Sequence, residues 1–263
     1  MVVDIHTHCF ADSLAKRAIN SLSERGDLIP FCDGTISGLK NSMHNSGVNI
    51  SVLQTIATKP EQTPTINRWA VDVQDSDIMS FGTIHPAYPK WKDEIKFLID
   101  SGVKGIKMHP DYQNFFVDEP TVFPIYEKIF NEGLIILFHA GIDVGLPDPC
   151  HCPPSRLRKV IDTFPGAKVI AAHMGGYKFW DDVKKYLFGT EVYLDTSFSF
   201  DALGLTLMKP MILEHGANKI LFGTDSPWTD QNTEIQNIQS LGLSNKETDM
   251  ILGNNAMKLL KPH

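Results

Sequence analysis

The sequence predicts an α/β protein: a (β/α)8, or TIM, barrel built from a single domain spanning residues 1–263. Three observations carry that reading. Eight strand-like segments alternate with helical ones, with no break in composition and no low-complexity linker between them. The most apolar of them, residues 134–138 (Leu-Ile-Ile-Leu-Phe), is hydrophobic at every position, as expected of a strand in a parallel sheet covered by helices on both faces. A chain of 263 residues is also a length that such barrels routinely reach as one domain. The competing architecture is an open, doubly wound sheet. That fold usually carries a Gly-rich phosphate loop after its first strand, and none follows here.

The first strand, residues 2–8, ends in His6-Thr7-His8. Strand side chains alternate, so His6 and His8 leave the same face. Neutral imidazole is the commonest metal ligand, and the pair therefore points to a divalent-metal site at the strand end, with two solvated or hydrogen-bonded histidines as the plainer reading. Helices are expected over 11–25 and 34–46, the second capped by Asp33. The apolar loop between them, 26–32, is able to cover a pocket. Residues 49–54 form the second strand, and Thr63-Pro64 opens a helix as a cap followed by a first-turn proline. The third strand, 78–84, runs into His85-Pro86. An amphipathic helix over 91–101 stops at Gly102 and leads to the fourth strand, 103–109.

A helix over 120–132 ends at Gly133 and is followed by the fifth strand, 134–139. The chain continues with a helix near 154–164, a strand over 168–172, a helix over 178–188 and a strand over 191–195. Residues 208–215 are helical, 219–223 form the eighth strand, and Ser244-Asn245-Lys246-Glu247 is a capping box for a terminal helix.

Barrels of this kind place their chemistry at the carboxyl ends of the strands. The residues there are His6, His8, His85, Lys107, His109, His139, His173 and Asp225, whereas a barrel interior is otherwise filled with branched apolar side chains. Strands one, five and eight can aim ligands at one point near the axis. A net charge of −7 lacks the basic footprint of a nucleic-acid binder, so the expected partner is a small molecule. No positively charged leader with an apolar stretch is seen, and no apolar run nears the roughly 18 residues that span a bilayer, so no membrane partner is expected. A cytoplasmic protein follows, with homo-oligomerisation left open. Cys9, Cys32, Cys150 and Cys152 form no C-x-x-C pair and are expected to be reduced thiols. Cys150-His151-Cys152 reads as an ordinary loop, because three consecutive residues cannot easily close a tetrahedron on one ion. Cys9 has no obvious base beside it and reads as packing.

The His-Thr-His of strand one, Phe-His-Ala-Gly-Ile-Asp of strand five, Ala-His-Met-Gly-Gly after strand six and Phe-Gly-Thr-Asp-Ser-Pro-Trp after strand eight resemble the amidohydrolase superfamily. The resemblance is closest to the amidohydrolase 2 group, which includes aminocarboxymuconate semialdehyde decarboxylase, and it extends to Asn254-Asn255-Ala256 near the end of the chain. It implies that His6, His8, His139 and Asp225 bind one divalent ion, usually zinc, and that His173 assists catalysis.

The chemistry of those groups agrees. Three imidazoles and a carboxylate leave zinc net positive and able to activate water, whose proton Asp225 can take. His173 can polarise a carbonyl or support a ligand from behind. Lys107 and His109 share a strand face and are read as substrate contacts, Lys107 as a free ammonium for a carboxylate. Trp228 walls the site or simply packs, and His85 is as readily a turn residue as a pocket one. Asp195 is assigned no role. Lys107 lies two residues, about 6.6 Å, deeper than His109, which argues for one metal ion rather than two bridged by a carbamylated lysine. The expected activity is metal-dependent hydrolysis of an amide, ester or lactone. The alternatives are non-oxidative decarboxylation of a small aromatic or muconate-like acid, and a non-catalytic ligand-binding barrel.

Overall fold

A computed structural model describes residues 1–261; the last two positions of the expected domain lie outside the described residues. The eight strands are β1 (Val3–Thr7), β2 (Ile50–Gln54), β3 (Ile78–Thr83), β4 (Gly105–Met108), β5 (Ile135–Phe138), β6 (Val169–Ala171), β7 (Tyr193–Asp195) and β8 (Ile220–Leu221). They lie side by side in sequence order, each parallel to the next. The Ile5 N–H donates to the Phe222 carbonyl at 2.9 Å and the Asp225 N–H to the His6 carbonyl at 2.7 Å, which joins the last strand to the first. This is the barrel that the strand count predicts.

The helices are α1 (Asp12–Gly26), α2 (Ile36–Ser46), α3 (Thr63–Asp72), α4 (Trp91–Asp100), α5 (Phe123–Asn131), α6 (Pro154–Thr163), α7 (Trp180–Tyr186), α8 (Phe200–His215), α9 (Gln231–Ser240), α10 (Asn245–Asp249) and α11 (Asn255–Leu260). None is long and apolar enough to cross a membrane. Two apolar cores result. Val3, Ile5, Val52, Phe81, Leu137 and Leu221 fill the inside together with Ala256, Leu259 and Leu260 of α11, which packs where β1 begins. The larger core lies between strands and helices, where Ile106, Ile136 and Phe138 meet Leu98, Tyr126 and Ile129. Gly105 makes room for Phe81, since a Cβ there would stand 2.5 Å from the ring.

Four local expectations are corrected. Thr35, not Asp33, caps α2: its hydroxyl accepts from the Gly38 N–H at 2.9 Å, and Asp33 instead accepts from the Thr35 N–H at 2.9 Å. Thr63 is not a cap either, because a 3-10 turn, Pro60–Gln62, already leads into α3 and leaves the buried Thr63 hydroxyl without a partner. The helix expected at 208 starts at Phe200 and passes through a bend at Gly204, where φ is 63° and the periodicity breaks. Helix α9 is absent from the sequence reading altogether. Its apolar stripe is only Ile235 and Ile238 among polar residues, and its order comes from Asp230 capping Thr233 at 2.9 Å and from burial against the barrel. The Ser244 capping box is present, with the Glu247 carboxylate accepting from the Ser244 N–H at 2.9 Å.

Helix α9 also buries Glu234, which accepts from Asn237 at 3.3 Å through one oxygen and has no partner for the other. Burial, reinforced by Asp201 and Asp4, pushes its carboxyl from 4.5 up to about 8. The folded state thus binds this proton more tightly than the unfolded one. Its contribution is fully present below the unfolded value and is lost as pH rises towards about 8. Denaturant unfolding is expected to show wild-type stability falling across that window by up to ~1.4 kcal/mol per pH unit, and Glu234→Gln should flatten the slope. Gly105→Ala is expected to cost ~1–3 kcal/mol in the same assay, through crowding of Phe81.

Candidate active site

The site begins with an irregularity in β1. Val3 and Ile5 face the barrel interior, so strict alternation would turn His6 outward. The pairing with β2 instead shifts: Asp4 meets Ser51 and Thr7 meets Leu53, three steps on one strand against two on the other. This bulge brings His6 inside after Ile5, the usual way a bulge re-aims a side chain. Asp4, left on the outer side, accepts from the Thr224 N–H at 3.0 Å and from Gln231 at 2.8 Å, tying β1 to the segment that carries Asp225. Gly223 lets that segment come close, because a Cβ there would lie 3.0 Å from the His6 Cβ. Asp225 and His173 both have left-handed backbone, with φ of 66° and 59°, a conformation uncommon for non-glycine residues.

Hydrogen-bond partners set the imidazole tautomers. His6 donates from Nδ1 to Asp195 Oδ2 at 2.9 Å, and His8 donates from Nδ1 to the Gln54 carbonyl at 2.8 Å. Both Nε2 lone pairs are then free. They lie 3.2 Å apart and 3.3 and 3.0 Å from Asp225 Oδ1. Three acceptors thus face one another in a buried spot, and the donor that reaches them is the Lys107 ammonium, 3.1 Å from His6 Nε2. The same argument applies to His139. His173 donates from Nδ1 to the Ser197 carbonyl at 3.1 Å, so its Nε2 accepts from His139 Nδ1 at 3.1 Å. The buried His139 Nε2 is left as a lone pair with no partner among the described residues. A donor set of neutral imidazole nitrogens and a carboxylate aimed at one another, plus an orphaned imidazole nitrogen nearby, fits a divalent cation.

Of the expected ligands, His6, His8 and Asp225 stand together, their ligand atoms within 4.8 Å of one another. His139 belongs to a neighbouring group with His109 and Asp143, linked to the first through His173. His109 stacks on His139 at 4.0 Å between ring centroids, donates to Asp143 Oδ2 at 3.1 Å and accepts from the Tyr112 N–H at 3.3 Å. Both of its ring nitrogens are thus engaged within the protein. Burial holds His6, His109 and His139 well below the ordinary histidine range, so all three stay neutral, as metal ligation requires of His6 and His139. Burial raises the Asp225 carboxyl, and positive charge among His6 and His8 is what holds it below the usual carboxylate range, so with neutral rings that charge has to come from Lys107 or a bound cation. Lys107 is pushed down to about 8 by burial, against the pull of Asp225, Asp195 and Asp143.

Lys107, His109 and Trp228 all line the cavity, the long Lys107 side chain recovering the depth that its position in β4 costs. His85 does not; its Nδ1 accepts from the Ala87 N–H at 3.2 Å, as a turn residue does. The Cys9 thiol borders the cavity, but burial raises its pKa and it donates to the Thr35 carbonyl. Cys150 and His151 donate to the Gly141 and Pro110 carbonyls and form no metal clip. Asp195, given no role from the sequence, is a hub that accepts from His6, from the His173 N–H at 3.0 Å and from the Ser197 hydroxyl. Its place at the end of strand seven was the available signal. Asp143 stands in the Phe-His-Ala-Gly-Ile-Asp motif itself, whereas nothing in the sequence marks Ser197 or the Gln54 carbonyl.

No curated protein matches this sequence. Solved structures resemble the fold at low identity. A TIM-barrel protein from Bordetella bronchiseptica aligns with a TM-score of 0.75 and 16% identity over 98% of each chain. The 2,6-dihydroxybenzoate decarboxylase from Rhizobium aligns with a TM-score of 0.73 and 15% identity over 98% of each chain. A dihydroxybenzoic acid decarboxylase from Polaromonas, with bound manganese and the inhibitor 2-nitroresorcinol, gives 0.74 and 15% over 98% of this chain and 96% of its own. The amidohydrolase family model matches residues 3–261, and with this barrel and its histidine-rich mouth the chain belongs to the amidohydrolase family of metal-dependent enzymes.

Proposed function

We propose that this enzyme removes carbon dioxide, without oxidation, from a small aromatic acid, using one divalent ion held by His6, His8, His139 and Asp225. The observation that carries the reading is the buried Lys107 ammonium on the cavity floor, 3.1 Å from His6 Nε2 and the one Lys or Arg among the described residues lining the cavity. With the His6 lone pair engaged in holding an ion, this ammonium would be free for the carboxylate of a substrate. The two decarboxylases with the same fold support the choice of reaction. Nitrogen-rich ligation suits zinc, and the manganese of the Polaromonas protein makes that ion the second choice. The four free cysteines suit a reducing compartment, the cytoplasm.

When bound, the ion supplies a Lewis acid that holds a substrate oxygen and draws negative charge from the reacting carbon. Lys107 orients the acid through its carboxylate. As the carbon–carbon bond breaks, the electron pair stays on the ring carbon, so the negative charge remains within reach of the same ammonium. That carbon must then take a proton. Asp225, at the strand-eight end of the cavity, and His173 line the space and would relay to that carbon a proton taken from solvent. Asp195 holds the His6 ring in position and Ser197 holds His173, so neither imidazole needs to reorganise. Hydrolysis of an amide, ester or lactone is the second reading. It is favoured by Asp225, ionised beside the acceptor cluster and suited to take a proton from water.

Purified protein is expected to carry about one equivalent of divalent metal, and His6→Ala and His139→Ala should lose it by elemental analysis. Full occupancy in either variant would refute the ligand set, and about two equivalents would refute the single-ion site. Metal-loaded enzyme is expected to release carbon dioxide from hydroxybenzoates. Lys107→Met should raise KM about tenfold or more, and Asp225→Asn should lower kcat by about 10²–10⁴. Release that survives chelation, or turnover confined to lactones and esters, would sink the decarboxylase reading.

A further inference from the structure

The cavity of about 450 Å³ lies in the range that encloses ligands of drug size. Its charged groups are set apart from the rest. The charged lining groups, Lys107, Asp143 and Asp225, are gathered with the histidines. The rest of the wall is neutral and largely apolar, with Leu14 and Leu22 of α1, Leu28 of the following loop, Ile66 and Trp69 of α3, and Val144 of the loop after β5, interrupted by hydroxyls such as those of Thr58 and Thr65. Leu14 and Val144 are 45% and 43% exposed, which places the apolar wall right up to the mouth. The two sides of that wall meet at Gly26, where a Cβ would stand 3.0 Å from Leu28 and 3.3 Å from Val144. Arg25, next to this seam, packs over the Tyr112 ring at 6.0 Å and does not line the cavity.

Resting on the decarboxylase reading, we infer that the substrate carries a single carboxylate and an apolar extension beyond its ring, and that dicarboxylates of the muconate type are excluded. One carboxylate has a partner in Lys107. A second, carried up the cavity, would find no Lys or Arg among the described lining residues, only apolar side chains and the neutral hydroxyls of residues such as Thr58, Thr65, Tyr112 and Tyr177, so its charge stays uncompensated as it loses hydration. If turned down, it would compete with the first for the single Lys107 ammonium and the bound ion, beside the carboxylate of Asp143. An alkyl or aryl group in the same place gains from leaving water.

The test is binding, read apart from turnover. Isothermal titration calorimetry on metal-loaded enzyme would compare 2-hydroxybenzoate, its 4-butyl and 5-butyl derivatives, and the matched carboxyethyl derivatives that end in a second carboxylate. At least one butyl compound is expected to bind about tenfold or more tighter than the parent, and both carboxyethyl compounds weaker than it. Leu22→Arg should erase the butyl advantage and improve the carboxyethyl compounds. Carboxyethyl compounds binding as well as butyl ones, or no gain from either butyl group, would overturn the inference. Carbon dioxide release is scored separately. Tight butyl binding without release would defeat the reaction and leave this inference standing, whereas release confined to dicarboxylates would do the reverse.

Discussion

Two imidazole lone pairs and a carboxylate oxygen pointing at one another in a largely buried barrel mouth call for positive charge among them. Buried acceptors without a donor cost free energy, and a buried carboxylate costs more unless it is paired. The surrounding structure creates that situation, and the Lys107 ammonium, 3.1 Å from His6 Nε2, is the protein group that answers it. Asp195 and the Gln54 carbonyl take the Nδ1 protons of His6 and His8, so the inward nitrogens cannot donate. The bulge in β1 turns His6 inward, Gly223 lets it pack closely, and the Asp4 network locks the first strand to the segment that bears Asp225. A site held this way is formed before a cation arrives, which limits what the protein has to reorganise on binding it.

The same burial organises the chemistry around that point. It keeps His6 and His139 neutral, and it lowers the proton affinity of Lys107 to about 8 without removing its charge at neutral pH. An ammonium in such surroundings pairs strongly with an anion, because little water competes. The histidines form a continuous cluster: His109 stacks on His139, His139 donates to His173, and His173 is anchored to Ser197. Motion of any one ring would break a partner's hydrogen bond, so the cluster shares its rigidity.

The sequence by itself determined the fold class and named most of the polar residues that the structure gathers in the cavity. Strand count, the doubly apolar fifth strand and the concentration of histidines at strand ends are properties of local pattern, and local pattern is what burial on a barrel imposes on a chain. His6, His8, His139, His173 and Asp225 were legible because ligand-type residues are rare at positions that otherwise demand branched apolar side chains. What only the tertiary structure decided concerns groups whose role is fixed by a partner far along the chain. Asp195 becomes a hub through its bond to His6, 189 residues away, and Gln54 acts through a backbone carbonyl, which carries no sequence signal. Helix α9 is ordered by its cap and its packing rather than by periodicity. The grouping of His139 with His109 and Asp143, and the reach of Lys107 to His6, depend on side-chain length and on the loop after β5, which no spacing rule encodes.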